Sequence, residues 1–165
     1  MIFSLPNALI KTSEKVLHNG KQIAFSWGNS DMLNKWIDSM NKKQIEAVLG
    51  INGKIKYPLL WLVEGWKSSE TVNGYKFENV SFWISCNSDV STLNENRDFT
   101  IQYEIANEFI SKLKLMATIG NKSISWTEKS NVSVNRESKQ TDVWDSVILT
   151  MDIIVNKNCL TKLYV

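Results

Sequence analysis

The sequence predicts an α+β fold: a mainly antiparallel sheet of about four to six strands, with helices packed on one face. Three observations carry that expectation. Trp144 to Val155 alternates, with Val147, Leu149, Met151, Ile153 and Val155 on one side and Ser146, Thr150 and Asp152 on the other. Such a period of two belongs to a strand with one face on a core. Phe99 to Ala117 repeats instead at three and four residues: Phe99, Tyr103, Ala106, Ile110, Leu113 and Ala117 make a stripe that Ile105, Phe109 and Met116 widen. That is the stripe of an amphipathic helix. Tyr57 to Val63 is continuously apolar, as in a strand covered on both faces.

The remaining elements follow in order. Leu5 to Leu17 reads as a first helix, with Leu5, Leu9, Val16 and Leu17 on one face and Asn19-Gly20 as its stop. Gln22 to Trp27 reads as a short strand with Ile23 and Phe25 on one side. Asn29, Ser30 or Asp31 can cap a second helix carrying Met32, Leu33, Trp36, Ile37 and Met40. Gln44 to Leu49 fits a helical turn or a strand, and Asn52-Gly53 is a turn. The strand Ile55 to Val63 contains Pro58, which cannot donate to a ladder and belongs at its beginning or on an edge. Glu64 to Tyr75 is polar, includes Asn73-Gly74, and reads as a hairpin loop leading to a partner strand at Lys76 to Cys86. Asn94, Asn96 or Asp98 can cap the long helix, and Gly120 can stop it. Short strands at Ile124 to Trp126 and Val132 to Val134, then the polar stretch Asn135 to Asp142, precede the last strand. Helices and strands are segregated, which is the α+β pattern.

Composition sets bounds on function. The 165 residues fit a single domain spanning 1–165, and only 7 Gly and 2 Pro leave no long flexible linker. Hydrophobic residues at 43% and charged residues at 22% are globular proportions. The net charge of +2, with short basic clusters at Lys42-Lys43 and Lys54/Lys56, gives no concentrated basic face, so specific nucleic-acid binding is not expected. No apolar run is long enough to span a bilayer, and Met1 to Ile10 lacks the basic region of a secretory signal. Seven Trp exceed what one small core requires, and Trp is favoured at protein interfaces.

The residues that carry chemistry are sparse. His18 is the one histidine, and beside Asn19-Gly20 it reads as a capping or surface residue. Cys86 and Cys159 match no metal or redox spacing; two reduced thiols are favoured over a single disulfide. No His/Cys/carboxylate cluster suits a metal and no Gly-rich loop suits a phosphate, so no cofactor is expected. Asp142 and Asp145 flank Trp144, and Glu64 lies near Trp61 and Trp66. Carboxylates with aromatics can serve glycoside hydrolysis, but exposed strand ends beside buried Trp explain them better. The expectation is a non-enzymatic protein that packs against other chains.

Several segments, in the same order, resemble small tail-terminator-like (tail completion) proteins of tailed bacteriophages, especially those infecting Bacteroidetes hosts. They are Lys56-Tyr57-Pro58-Leu59-Leu60-Trp61-Leu62, Val80-Ser81-Phe82-Trp83-Ile84, Asn94-Glu95-Asn96-Arg97 before the long helix, and Asp142-Val143-Trp144-Asp145-Ser146-Val147-Ile148-Leu149, closing on Cys159. The likeness runs from about residue 20 onward. It departs in one respect: such proteins often carry Pro within the long helix's segment, and none lies between Phe99 and Ala117. The resemblance implies a virion protein, made in the host bacterial cytoplasm, that forms a homo-oligomeric ring, commonly of six subunits. The ring caps the tail tube, stops its polymerisation and docks the head-closure complex. It needs neither catalysis nor cofactor, involves no membrane, and lets DNA pass through its lumen.

A closed ring needs two different contact patches on each subunit. The polar segments Trp66 to Asn73 and Lys129 to Thr141 are the candidates, with Trp66, Lys67, Asn73, Lys129, Asn131, Arg136 and Lys139 as contact residues. Another head–tail connector ring, an adaptor or head-closure protein, is the near alternative. A carbohydrate-binding module is a further one, and it requires Trp61, Trp66 and Trp144 to share an exposed face.

Overall fold

The structure is a computed structural model. It describes residues 4–29, 31–33, 35–36, 58–87, 98–120, 124–134 and 141–156, with backbone alone at 87, 130–134 and 141–143. In chain order the elements are α1 (Leu5–Ser13), β1 (Leu17–His18), β2 (Lys21–Gln22), β3 (Ala24–Gly28), β4 (Leu59–Val63), β5 (Lys67–Thr71), β6 (Gly74–Asn87), α2 (Thr100–Lys114), β7 (Thr118–Ile119), β8 (Ser125–Val134) and β9 (Thr141–Asn156). Residues 31–33 and 35–36 are helical as well. The chain is an α+β protein built on a mostly antiparallel sheet.

The main sheet has the order β3-β4-β6-β9-β7, with β5 also on β6 and β8 also on β9. Two long strands, β6 and β9, make its spine, pairing from Gly74↔Asn156 to Asn87↔Trp144. Each divides its outer edge between two partners. On β6 these are β5 opposite 74–78 and β4 opposite 81–85. On β9 they are β7 opposite 153–154 and β8 opposite 141–150. The β3–β4 pair is parallel, with Ala24 beside Leu59 and Gly28 beside Val63.

Alternation along the spine divides the sheet into two faces. Val80, Phe82 and Ile84 of β6 join Val147, Leu149, Met151, Ile153 and Val155 of β9, together with Leu60 and Leu62 of β4. Helices α1 and α2 cover this face with Leu5, Leu9, Ile105, Phe109 and Leu113. At its centre Phe82 meets Phe109 edge to face, with ring centroids 4.9 Å apart, a favoured aromatic geometry. On the opposite face Leu59, Trp61 and Trp144 form a second, smaller cluster with Leu33 from the helical stretch after β3.

One irregularity sets the spine's shape. Two residues, Glu78 and Asn79, oppose the single Asp152, which makes a β-bulge. Asn79 takes a left-handed φ of 56°, and its N–H donates to Oδ1 of the buried Asp152 at 3.0 Å. The backbone carbonyl of Asp152 accepts from the N–H of Gly120 at 2.8 Å, just after β7. Asp152 therefore organises the bulge on one side and the break between β7 and β8 on the other.

Several boundaries differ from expectation for local reasons. The first helix ends at Ser13 rather than Leu17. Thr12 and Ser13 turn their hydroxyls back onto the carbonyls of Ala8 and Ile10, the local bonding that weakens a helix interior. Asn19-Gly20 then closes a hairpin between β1 and β2 instead of stopping the helix. Both residues have positive φ, 51° and 74°, as the tightest hairpin turn demands, and His18 lies in β1. Glu64 to Tyr75 is no simple loop, because β5 occupies Lys67–Thr71. All five of its residues are exposed, so it has no apolar alternation to reveal it. The two short strands foreseen around 124–134 are one strand, β8. The long helix starts at Thr100, whose N–H donates to Oδ1 of Asp98 at 2.9 Å. Ile37, Met40, the 44–49 segment, Asn52-Gly53, residues 55–57 and Asn94 to Arg97 lie outside the described residues.

Three variants test this architecture by urea unfolding. Phe82→Ala removes the ring at the centre of the larger core and costs about 3–5 kcal/mol. Asn79→Val places a β-branched residue at a left-handed φ and costs roughly 1–2 kcal/mol, whereas Asn79→Gly keeps full stability because the bond to Asp152 comes from the backbone.

Candidate functional site

The residues foreseen as contacts fall on opposite margins of the sheet. Trp66, Lys67 and Asn73 belong to the β5–β6 hairpin. Lys67 and Asn73 are exposed, and Trp66 is half-buried against the larger core. Lys129 and Asn131 lie on β8, beyond β9, in register with Ser146 and Trp144. Lys129 is exposed, with its Nζ 5.0 Å from the centroid of Trp83, in the range of a cation–π contact. For Asn131 the backbone is described, and Arg136 and Lys139 lie outside the described residues.

The surface also exposes residues the sequence reading did not select. On β3, Trp27 is 40% exposed and stands 6.0 Å from the half-buried Phe25. The same alternation that paired Ile23 with Phe25 continues to Trp27, so the signal was present. On β8, Trp126 is exposed beside Tyr103, with centroids 5.4 Å apart, and the Tyr103 hydroxyl donates to Glu128 at 2.8 Å. That bond holds the phenol proton above its ordinary pKa. Val72, at the tip of the β5–β6 hairpin, is 94% exposed. It is the one apolar residue between Lys67 and Asn73, a mark that composition alone conceals.

The margins differ in character. β3 carries Ala24, Phe25, Ser26, Trp27 and Gly28, with no charge and no proline. β8 is longer and carries Glu128 and Lys129; β5 carries Lys67 and Glu70. Charged residues on edge strands discourage indiscriminate pairing, and β3 has none.

Among the described residues the chemically active groups do not converge. Glu64 follows β4 next to the Val63↔Ser81 rung, while Asp145 pairs with Cys86 at the other end of that stretch of β6. Their backbones are separated along the strand by roughly 20 Å, beyond the spacing of either glycosidase carboxylate pair. Asp145 is buried, and its carbonyl accepts from Nε2 of Gln102 at 2.9 Å. Cys86 is a free thiol; burial first, and Asp145 second, push its pKa up to about 12. Cys159 lies outside the described residues. Among the described residues no group of three or more His, Cys, Asp or Glu is placed to hold a metal ion. No described helix is long and apolar enough to cross a membrane.

The tryptophans also decide against a shared sugar platform. Trp61 and Trp144 are 1% and 2% exposed on the smaller core, and Trp66 packs against the larger one. Among the described residues the indole N–H groups of Trp61 and Trp144 meet no acceptor, a cost accepted where large rings fill a core. No protein-family model matches the chain, and no curated protein matches it.

The Cys86 thiol gives a direct test. At pH 8 its thiolate fraction is about one in ten thousand. In a Cys159→Ser variant, a disulfide-exchange reagent therefore modifies the folded protein far more slowly than the urea-unfolded chain. The folded state holds this proton to higher pH than the unfolded chain does, so stability falls as pH rises past the ordinary thiol range.

Proposed function

We propose that the protein is a non-catalytic structural subunit that joins copies of itself in a closed ring at the head-proximal end of a phage tail, as a tail terminator or neck component. The observation that carries this reading is the pair of dissimilar margins on one sheet. At one margin β3 is short, uncharged and aromatic; at the other β8 is long and polar. A cyclic assembly joins unlike patches head to tail, which two such margins can supply without self-complementarity. The β5–β6 hairpin, with its apolar tip at Val72, adds a contact suited to the tube or to the head-closure complex. The sequence resemblance to tail-terminator-like proteins points the same way, and the separation of Glu64 from Asp145, the protonated Cys86 thiol and the placement of His18 in the β1–β2 hairpin favour no catalytic alternative.

Light scattering after size exclusion, with negative-stain imaging, tests the assembly. The expected result is a closed ring of about six subunits by analogy with the resembled group. Trp27→Lys is expected to shift the population to monomer while leaving the far-ultraviolet circular dichroism unchanged. A strict monomer at high concentration that also fails to bind tail tubes overturns the reading. Assembly into a ring that ignores tail tubes transfers it to another layer of the head–tail connector.

A further inference from the structure

We propose that Asn19 is a site of spontaneous covalent modification, converting to aspartate and isoaspartate through attack by the backbone nitrogen of Gly20. The chain carries three Asn-Gly pairs: Asn19-Gly20, Asn52-Gly53 and Asn73-Gly74. The second lies outside the described residues. The other two are held in sharply different settings.

Asn19 and Gly20 are exposed at the turn of a hairpin whose strands are two residues each and, among the described residues, pair only with one another. Nothing lies within 4 Å of where a Cβ on Gly20 would stand. The hairpin is anchored at its base by the buried Val16 and Ile23 and by the Leu17 N–H on Oε1 of Glu108 at 3.5 Å, but strands of two residues leave its turn at the low end of the free-energy range for opening. Opening favours the reaction, because closing the five-membered ring needs backbone freedom at Asn19 and Gly20 that a paired turn restricts. Asn73 is exposed too, but its glycine is locked. Gly74 pairs with Thr71 on one side and Asn156 on the other, inside the seven-stranded sheet. A Cβ there would fall on the carbonyl oxygen of Val155, so the Gly74 nitrogen moves only if the sheet's spine opens.

The chemistry balances with water as the one co-reactant. A solvent base takes the Gly20 amide proton, the nitrogen bonds to Cγ of Asn19, and the Cγ–Nδ2 bond breaks. Nδ2 leaves as ammonia, giving a five-membered imide. Water then opens either C–N bond of that ring, yielding aspartate or isoaspartate with one added negative charge. Before reaction, Nδ2 of Asn19 lies 3.3 Å from Nε2 of His18; an amide nitrogen can only donate, so this contact keeps the leaving group beside an acceptor. The isoaspartate product lengthens the backbone by one carbon and breaks the His18↔Lys21 and Leu17↔Gln22 register.

The test follows the intact chain at mildly alkaline pH, folded and in urea, by tryptic mass mapping. Peptides Val16–Lys21 and Ser68–Lys76 report Asn19 and Asn73 separately. In the folded protein the first is expected to convert at least about tenfold faster than the second, the factor that about 1.4 kcal/mol of difference in opening free energy produces. In urea the two rates are expected to converge. Equal rates in the folded protein, faster conversion at Asn73, or an Asn19 as inert as Asn73 would each overturn the proposal.

Discussion

The β6–β9 ladder is the constraint on which the other elements depend. These two strands, of 14 and 16 residues, are the longest among the described residues, and each carries a different partner at each end of its outer edge. Strands β4 and β5 sit where they do because they divide one edge of β6, and β7 and β8 because they divide one edge of β9. A shift of one residue in this pairing would carry Phe82 and Leu149 to the wrong face and expose the larger core. The bulge is therefore part of the register. The Asn79 N–H on Asp152 fixes which residue is extra, and the Asp152 carbonyl on Gly120 ties the neighbouring edge to the same point.

The two faces of the sheet divide the tryptophans. Trp61 and Trp144 fill the smaller core, Trp36, Trp66 and Trp83 are half-buried, and Trp27 and Trp126 remain on the surface. The excess over what one core needs has a structural origin, because this sheet is lined on both sides at β4. A continuously apolar Leu59–Val63 follows from the same cause: Leu60 and Leu62 enter one core, Leu59 and Trp61 the other.

Most of the spine and the long helix was legible, since β9 and α2 bury regular stripes that appear in sequence as periods of two and of three to four. Strand β5 was hidden because its pairing with β6 rests on backbone hydrogen bonds and leaves Lys67, Ser68, Ser69, Glu70 and Thr71 all solvated. Asn19-Gly20 was ambiguous because the same dipeptide serves a helix end and a tight hairpin. The parallel join of β3 to β4 depends on which distant edge is free, which no local pattern encodes. For the contact surface, composition singled out polar segments, and Lys67, Asn73 and Lys129 are exposed. Trp66 is half-buried, its ring packed against the larger core, and the exposed Trp27 and Val72 were not among the residues selected.

The parallel pairing of β3 with β4 also orders events in time. Synthesis delivers β3 first, yet its partner lies more than thirty residues downstream, and β4 is itself bound through β6 to β9 near the end of the chain. Pairings this distant in sequence make folding slow. An uncharged segment with Phe25 and Trp27 thus lacks its native partner at least until β4 has been made. During that interval β3 has no charge of its own to discourage other pairings.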